Sequence, residues 1–228
     1  MTWTTQRLIG PAGELHSREI SAEDAGSIWL LEAANPALVL GSSQSREVVD
    51  PDALRASGIE VVKRRSGGGA VLVDGSMTWI DVVIARDDPR WVDDLTRSFD
   101  WLGEAWVQVL GALGISDAEL NLGPMIGTEW SKLVCFGGLG PGEVTVGGKK
   151  LVGMSQRRTR ELARFQCAVL HRWHFDELIG LLDLMPEQRT AALVALRDSA
   201  VSLEDLGMVG VSALGLCDEL CRVLSRPL

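Results

Sequence analysis

Three consecutive glycines, Gly67, Gly68 and Gly69, stand between two short runs of β-forming residues at 59–62 and 70–73. Few features constrain a chain more. A glycine triplet between strands permits positive φ and lets one backbone approach another, or a ligand, without a side chain between them. Successive amide groups in such a turn can cradle an anion. The residues before it, Lys63-Arg64-Arg65-Ser66, add positive charge, and arginine binds carboxylates and phosphates bidentately. A tight hairpin with solvated basic residues is the competing reading. The spacing matches neither the dinucleotide-binding pattern G-x-G-x-x-G nor a phosphate loop, because no Gly-Lys-Ser/Thr follows.

The bulk sequence narrows what surrounds this loop. With 228 residues, 46% hydrophobic and 23% charged, the chain has enough apolar surface for a packed core. One domain spanning residues 1–228 is the expectation. A net charge of −9 argues against a nucleic-acid partner. No apolar run reaches the roughly 20 residues of a membrane span, and the first residues lack a signal-peptide pattern. Four cysteines without metal-binding spacing fit a reducing cytoplasm, and no metal site is expected.

Periodicity predicts helices over 21–32, 51–56, 89–113, 175–184, 186–196 and 203–224. It predicts strands over 37–40, 59–62, 70–73, 78–85, 133–136, 143–146, 151–155 and 165–173. Strands crowd the middle and helices the end. The fold class expected is α+β, a central mixed sheet flanked by helices with a helical C-terminal tail.

A second segment carries chemistry. Val144 and Val146 alternate toward a Gly147-Gly148 turn, Lys149 and Lys150 follow it, and a return strand begins at Leu151. A lysine there can place an ammonium over a pocket mouth; a solvated lysine pair is the commoner outcome. Cys135 lies fifteen positions before Lys150. Taken by itself it reads as a strand thiol in an apolar run. Cys167 reads as a core thiol. His171 and His174 read as surface or packing residues, and His16 lies in an uninformative stretch. Arg157, Arg158 and Arg160 form a basic cluster that an acidic carrier protein would be drawn to. Leu72, Val73 and Trp79 are candidates for an apolar channel or simply core.

Together the two segments resemble the superfamily that joins biotin ligases, lipoate-protein ligases and octanoyl transferases. Lys63-Arg64-Arg65-Ser66-Gly67-Gly68-Gly69-Ala70-Val71 is similar to that family's Arg-Arg-x-Ser-Gly-Gly-Gly-Ala-Val. Gly148-Lys149-Lys150-Leu151-Val152-Gly153-Met154-Ser155 is similar to its Gly-Arg/Lys-Lys-hydrophobic-x-Gly-x-Ala/Ser, which maps the active-site lysine to Lys150. Upstream, Gly41-Ser42-Ser43-Gln44 resembles its Gly-x-x-Gln. Two departures stand out. The ligases' Tyr-His-Asp and following Asn are here Leu72-Val73-Asp74 and Gly75-Ser76-Met77-Thr78, and the tail after Trp173 is too short for a ligase accessory domain.

The resemblance implies an enzyme moving lipoate or octanoate to a lysine of a lipoyl-domain protein, such as the glycine cleavage H protein or a 2-oxoacid dehydrogenase E2. The leading expectation is a ligase mode, in which ATP and Mg²⁺ would give an acyl-adenylate; a transferase mode is the alternative. Cys135-Phe136, ahead of the lysine hairpin, resembles the Cys-Phe that supplies the nucleophile in cysteine-dependent octanoyl transferases; in that transferase mode, octanoyl-acyl carrier protein would acylate Cys135 with no cofactor, the nearby lysine favouring the thiolate. A non-catalytic lipoate- or nucleotide-binding paralogue is a third reading. Implied catalytic residues are Lys150 and Cys135. Implied binding residues are Arg64, Ser66, Gly67, Gly68, Gly69, Ala70, Gly153 and Ser155.

Overall fold

The computed structural model describes residues 3–226. The first half of the chain runs β1 (Thr4–Gly10), α1 (Ala12–Ser17), β2 (Ser27–Ala33), β3 (Ala37–Leu40), α2 (Pro51–Ser57), β4 (Glu60–Lys63), β5 (Val71–Val73) and β6 (Met77–Ala85). Then come α3 (Asp100–Ala112), β7 (Ala118–Leu120), β8 (Val144–Val146), β9 (Lys149–Arg158), β10 (Leu162–Leu170), α4 (Phe175–Gly180), α5 (Pro186–Arg197) and α6 (Ala213–Leu224).

Seven strands form one sheet in the order β1-β2-β6-β10-β9-β8-β7, and three form a second in the order β4-β3-β5. In the large sheet only β1 and β2 pair in parallel; in the small one β3 is parallel to β4 and antiparallel to β5. This is the mixed α+β architecture expected. No helix among the described residues is long and apolar enough to cross a membrane.

Period-two alternation divides the side chains of the large sheet between two cores. Ile28, Leu30, Ile80, Val82, Phe165 and Cys167 pack with Trp106 and Leu110 of α3 and Leu220 of α6. Trp29, Leu31, Trp79 and Val83 turn the other way, toward Val39, Val62 and Val73 of the small sheet and Leu15 of α1. The outer face of the small sheet, with Leu38, Leu40 and Leu72, is closed by Leu178 and Leu182 near α4 and Leu196 of α5. Leu72 therefore belongs to this outer core, whereas Val73 and Trp79 face the interior.

Several expected boundaries are corrected. The helix expected at 21–32 is a single 3₁₀ turn, Ala22–Asp24, followed by β2. Burial on both faces of β2 erased the alternation that marks a strand. The helix expected at 89–113 is confined to α3, and that at 203–224 to α6. The strand expected at 133–136 is instead a turn ending in a 3₁₀ helix, Cys135–Gly137. Strand β1, helix α1 and the three-residue β7 were unanticipated. Helix α2 follows its cues: Asp50 accepts from the amides of Asp52 and Ala53, Pro51 occupies the first turn, and Gly58 ends it with φ 66°.

Candidate active site

The glycine loop connects β4 to β5 and is held from beneath. Buried Arg64 folds back, so that its Nη2 donates to the carbonyls of Gly67 (2.8 Å) and Gly69 (2.9 Å). Gly68 has φ 102°, which disfavours any other residue. Its carbonyl packs on the α-carbon of Gly41, where a methyl group would overlap it. Gly67 is different, because a side chain there would meet nothing within 4 Å. Among the described residues, the amides of Gly67, Gly68 and Gly69 donate no intramolecular hydrogen bond. They are three donors in one turn, the arrangement that receives an oxyanion.

Cys135 is seated against this loop. Ala70 donates its amide to the Leu133 carbonyl (2.8 Å), and Cys135 donates to the Ala70 carbonyl (2.9 Å). Gln44 braces the same stretch: its Oε1 accepts from the Gly41 amide (2.9 Å), and its Nε2 donates to the Leu133 carbonyl (3.0 Å). A β-carbon on Gly68 would lie 4.0 Å from the Cys135 Sγ. Thiol and glycine loop are thus neighbours.

Lys150 reaches the other flank. It lies just past the Gly147-Gly148 turn, where both glycines have positive φ. Its ammonium contacts Glu143 Oε2 at 2.7 Å and the Cys135 and Gly138 carbonyls at 3.0 and 3.2 Å. Gly153 keeps this route open, since a β-carbon there would sit 3.1 Å from both Lys150 Cε and the Phe136 ring. Ser155, opposite Gln166 on β10, donates to Ser66 Oγ (3.0 Å), and Ser66 donates to Gln166 Oε1 (3.1 Å). The chain of polar contacts ends on His16, whose Nδ1 lies 3.3 Å from Gln166 Nε2 and whose ring stacks on Trp79 at 4.1 Å. Burial, with Arg64 and Arg164 beside it, lowers the His16 pKa to about 3.

Two cavities meet at Cys135. One is a cleft of about 430 Å³ bordered by the three glycines, Glu143, Lys150, Arg158 and the exposed side chains of Leu95 and Met125. The other is a narrow apolar pocket of about 50 Å³, walled by Val71, Val73, Met77, Trp79, Phe136 and Ala168. Met154 and Ser155 border both. Cys167 also borders this pocket but is itself buried in the sheet core beside Trp106, and burial pushes its thiol far up.

The lipoyl protein ligase A/B catalytic domain model matches residues 14–224. The chain belongs to that family. Among curated relatives, the octanoyltransferase LipM of Kyrpidia tusciae is 33% identical over 184 residues, covering 78% of this chain and 66% of that one. The LipM of Moorella thermoacetica is 29% identical, covering 84% and 70%. The LipM of Clostridioides difficile is 27% identical, and the match spans 69% of this chain and 58% of that relative. Among solved structures, the bipartite lipoate protein ligase of Thermoplasma acidophilum superposes with a TM-score of 0.72 at 24% identity, over 96% of this chain and 82% of that one. An ATP-bound lipoate-protein ligase A gives 0.72 at 23% identity, over 99% and 85%. At those identities the likeness is one of fold.

One of these neighbours is an ATP-bound ligase, and in this chain the cations around the glycine loop already have partners within the protein. The two cations of the cleft are engaged: Lys150 as above, and Arg158 over the Trp91 ring (4.2 Å) with Nη2 donating to the Val92 carbonyl. Arg64 is spent on the glycine loop itself. The metal-ligand cluster found among the described residues, Asp74, His174 and Glu177, shares no residue with the cleft. Asp74 and His174 instead line a separate groove of about 790 Å³, with His171 hydrogen-bonded to Thr78 (2.6 Å).

The structure brings together Cys135, Lys150, Gly153, Ser155, Ser66 and the glycine loop from Arg64 to Ala70. Sequence reasoning missed Glu143, His16 and Gln166. Glu143 carried one signal, an acid between a Gly-Pro-Gly turn and an apolar strand. His16 carried none, because α1 was not recognised.

Proposed function

We propose that the chain transfers an octanoyl or lipoyl group to a lysine of a lipoyl-domain carrier protein through a thioester on Cys135. The observation that carries this reading is the position of the thiol, at the junction of a narrow apolar pocket and a wide cleft and beside three unpaired amides. The Cys135 thiolate attacks the carbonyl of an acyl carrier protein thioester, and the carrier leaves as its thiolate, which takes a proton from solvent. The neutral amine of the acceptor lysine then attacks the enzyme thioester. An amide forms, Cys135 leaves as the thiolate, and the proton lost by the amine nitrogen passes to solvent. Both steps start from a thioester, so no nucleotide is consumed.

The alkyl chain belongs in the pocket walled by Val73, Trp79 and Ala168. Met77 and Met154, unbranched and pliable, are the walls that swing to admit it. The wide cleft receives the partner's acyl arm or lysine, and Leu95 and Met125 at its mouth suit a protein contact. The supports for the transferase mode over the ligase mode are the occupied cations, the Leu72-Val73 in place of the ligase His, and the LipM names of the curated relatives. The reading treats residues 1–228 as one catalytic domain. It takes a glycine cleavage H protein or a 2-oxoacid dehydrogenase E2 lipoyl domain as acceptor, and the Thermoplasma ligase is described with such an E2 domain. Four free cysteines suit a reducing cytoplasm.

Incubation with octanoyl-acyl carrier protein alone should add one octanoyl mass, labile to hydroxylamine and absent in Cys135→Ser. Full-rate modification of a lipoyl domain by Cys135→Ser with octanoate and ATP would overturn the reading in favour of an adenylating ligase.

A further inference from the structure

An ammonium has three N–H donors, and those of Lys150 meet three acceptors within the protein: Glu143 Oε2, the Cys135 carbonyl and the Gly138 carbonyl. Both side chains of the ion pair are buried, 3% and 6% exposed. Glu143 is equally engaged. Its Oε1 accepts from the Met154 amide at 2.9 Å, and its Oε2 also accepts from the Gly140 amide at 2.5 Å. The pair therefore joins β9 to the backbone on both sides of the 3₁₀ turn that carries the thiol. No Lys150 donor is left for an acyl oxygen, while the amides of Gly67, Gly68 and Gly69 are uncommitted.

We propose that Glu143 is a positioning residue that clamps Lys150 and, through it, the Cys135–Gly138 backbone, so that the neutral pair sets the seat of the thiol. The proposal rests on Cys135 being the reactive group. Its consequence is specific. The pair is neutral as a unit, so removing one member leaves the other's charge alone beside Cys135. Among the described residues, the other charged or titratable groups that line the two cavities are Arg64, His16 and Cys167 on the pocket side and Arg158 on the cleft side. His16, its pKa lowered to about 3, is neutral near pH 7, and burial pushes the Cys167 thiol far up, so neither masks the change.

The test is the rate at which iodoacetamide alkylates Cys135 in the full chain, read by mass on the Cys135 peptide across pH 6–9, with no acyl donor present. Glu143→Gln should move the profile to lower pH and raise the rate at pH 7 about three- to tenfold, because an uncompensated ammonium favours the thiolate. Lys150→Met should move it to higher pH and slow the reaction by a similar factor. The double variant Glu143→Gln/Lys150→Met, which keeps no stray charge, should return to the wild-type profile and serves if a single variant fails to fold. In all three, kcat for acyl transfer should fall by at least about tenfold with KM changed less than about threefold, as expected for a displaced nucleophile. Unmoved profiles, or shifts of the same sign in both single variants, would overturn the clamp. The assay needs no donor, so the two readings fail separately. An octanoyl adduct without opposite shifts sinks only the clamp, and opposite shifts without an adduct sink only the transfer reading.

Discussion

Two ion pairs of this chain are buried to nearly the same depth and differ in what their remaining hydrogen bonds meet. Arg164 contacts Asp81 Oδ2 through Nε at 2.5 Å and sends its other nitrogens to the carbonyls of Leu15 and Arg18 at the end of α1, both at 2.9 Å. Asp81 Oδ1 accepts the indole N–H of Trp79 at 2.7 Å. This pair ties an N-terminal helix to the sheet and fixes one wall of the apolar pocket. Glu143 and Lys150 end instead on the backbone around a thiol that opens onto a cleft. Depth of burial does not distinguish a tether from an active-site device. The partners at the periphery of the pair do.

The sharpest way to break this comparison is Arg164→Met. Removing one member of a buried pair costs about 3–5 kcal/mol, because the other charge is stranded. Urea unfolding should show that loss, while thioester formation per folded molecule stays within about threefold. A stability loss below about 1 kcal/mol would leave the tether without support. The matching experiment at the cleft is the double variant Glu143→Gln/Lys150→Met. With both charges gone, stability should lie within about 2 kcal/mol of the parent, yet acyl transfer should fall about a hundredfold, the scale set by loss of active-site preorganisation. If the double variant transfers normally, the two pairs are the same kind of object.

The smallest effect is a pH dependence on the Asp81 side. His16 stacks on Trp79, and its folded pKa of about 3 lies below the ordinary value near 6.5. The unfolded chain therefore takes up a proton as pH falls through 6.5 while the folded chain does not. The associated stability is complete above pH 6.5 and is lost progressively between 6.5 and 3. From pH 7 to 5 that amounts to about 2 kcal/mol for one such histidine. His16→Gln should unfold in urea with a correspondingly smaller change over that interval. An identical change in parent and variant would remove His16 from the buried network.

The comparison also explains which parts were legible in the sequence. Gly68 and Gly69 announced themselves because a positive φ at the first and close backbone approach at the second restrict the residue type, and the positive φ of Gly147 and Gly148 marked Lys150 in the same way. The mixed sheet followed from short β-branched runs separated by turns. Strand β2 was misread because both faces are buried, leaving an unbroken apolar run. The 133–136 run was misread because Ala70 and Gln44 claim its backbone, and those contacts are long-range. Glu143, Gln166 and His16 are ordinary polar residues locally. Only the register of β9 against β10 and the docking of α1 bring them to the pocket, and neither is written in local propensity.

The unequal crowding of the glycine loop has a practical consequence. At Gly41 and Gly68 a single added carbon collides with backbone or with Arg64, whereas at Gly67 it enters open space above the cleft. Position 67 can therefore hold a reporter. A cysteine there would need the native thiols masked, but a genetically encoded fluorophore or photo-crosslinker would not. Placed at 67, such a probe would look into the cleft from a rigid mount and register the arrival of a carrier protein in real time, without altering the loop that supports it.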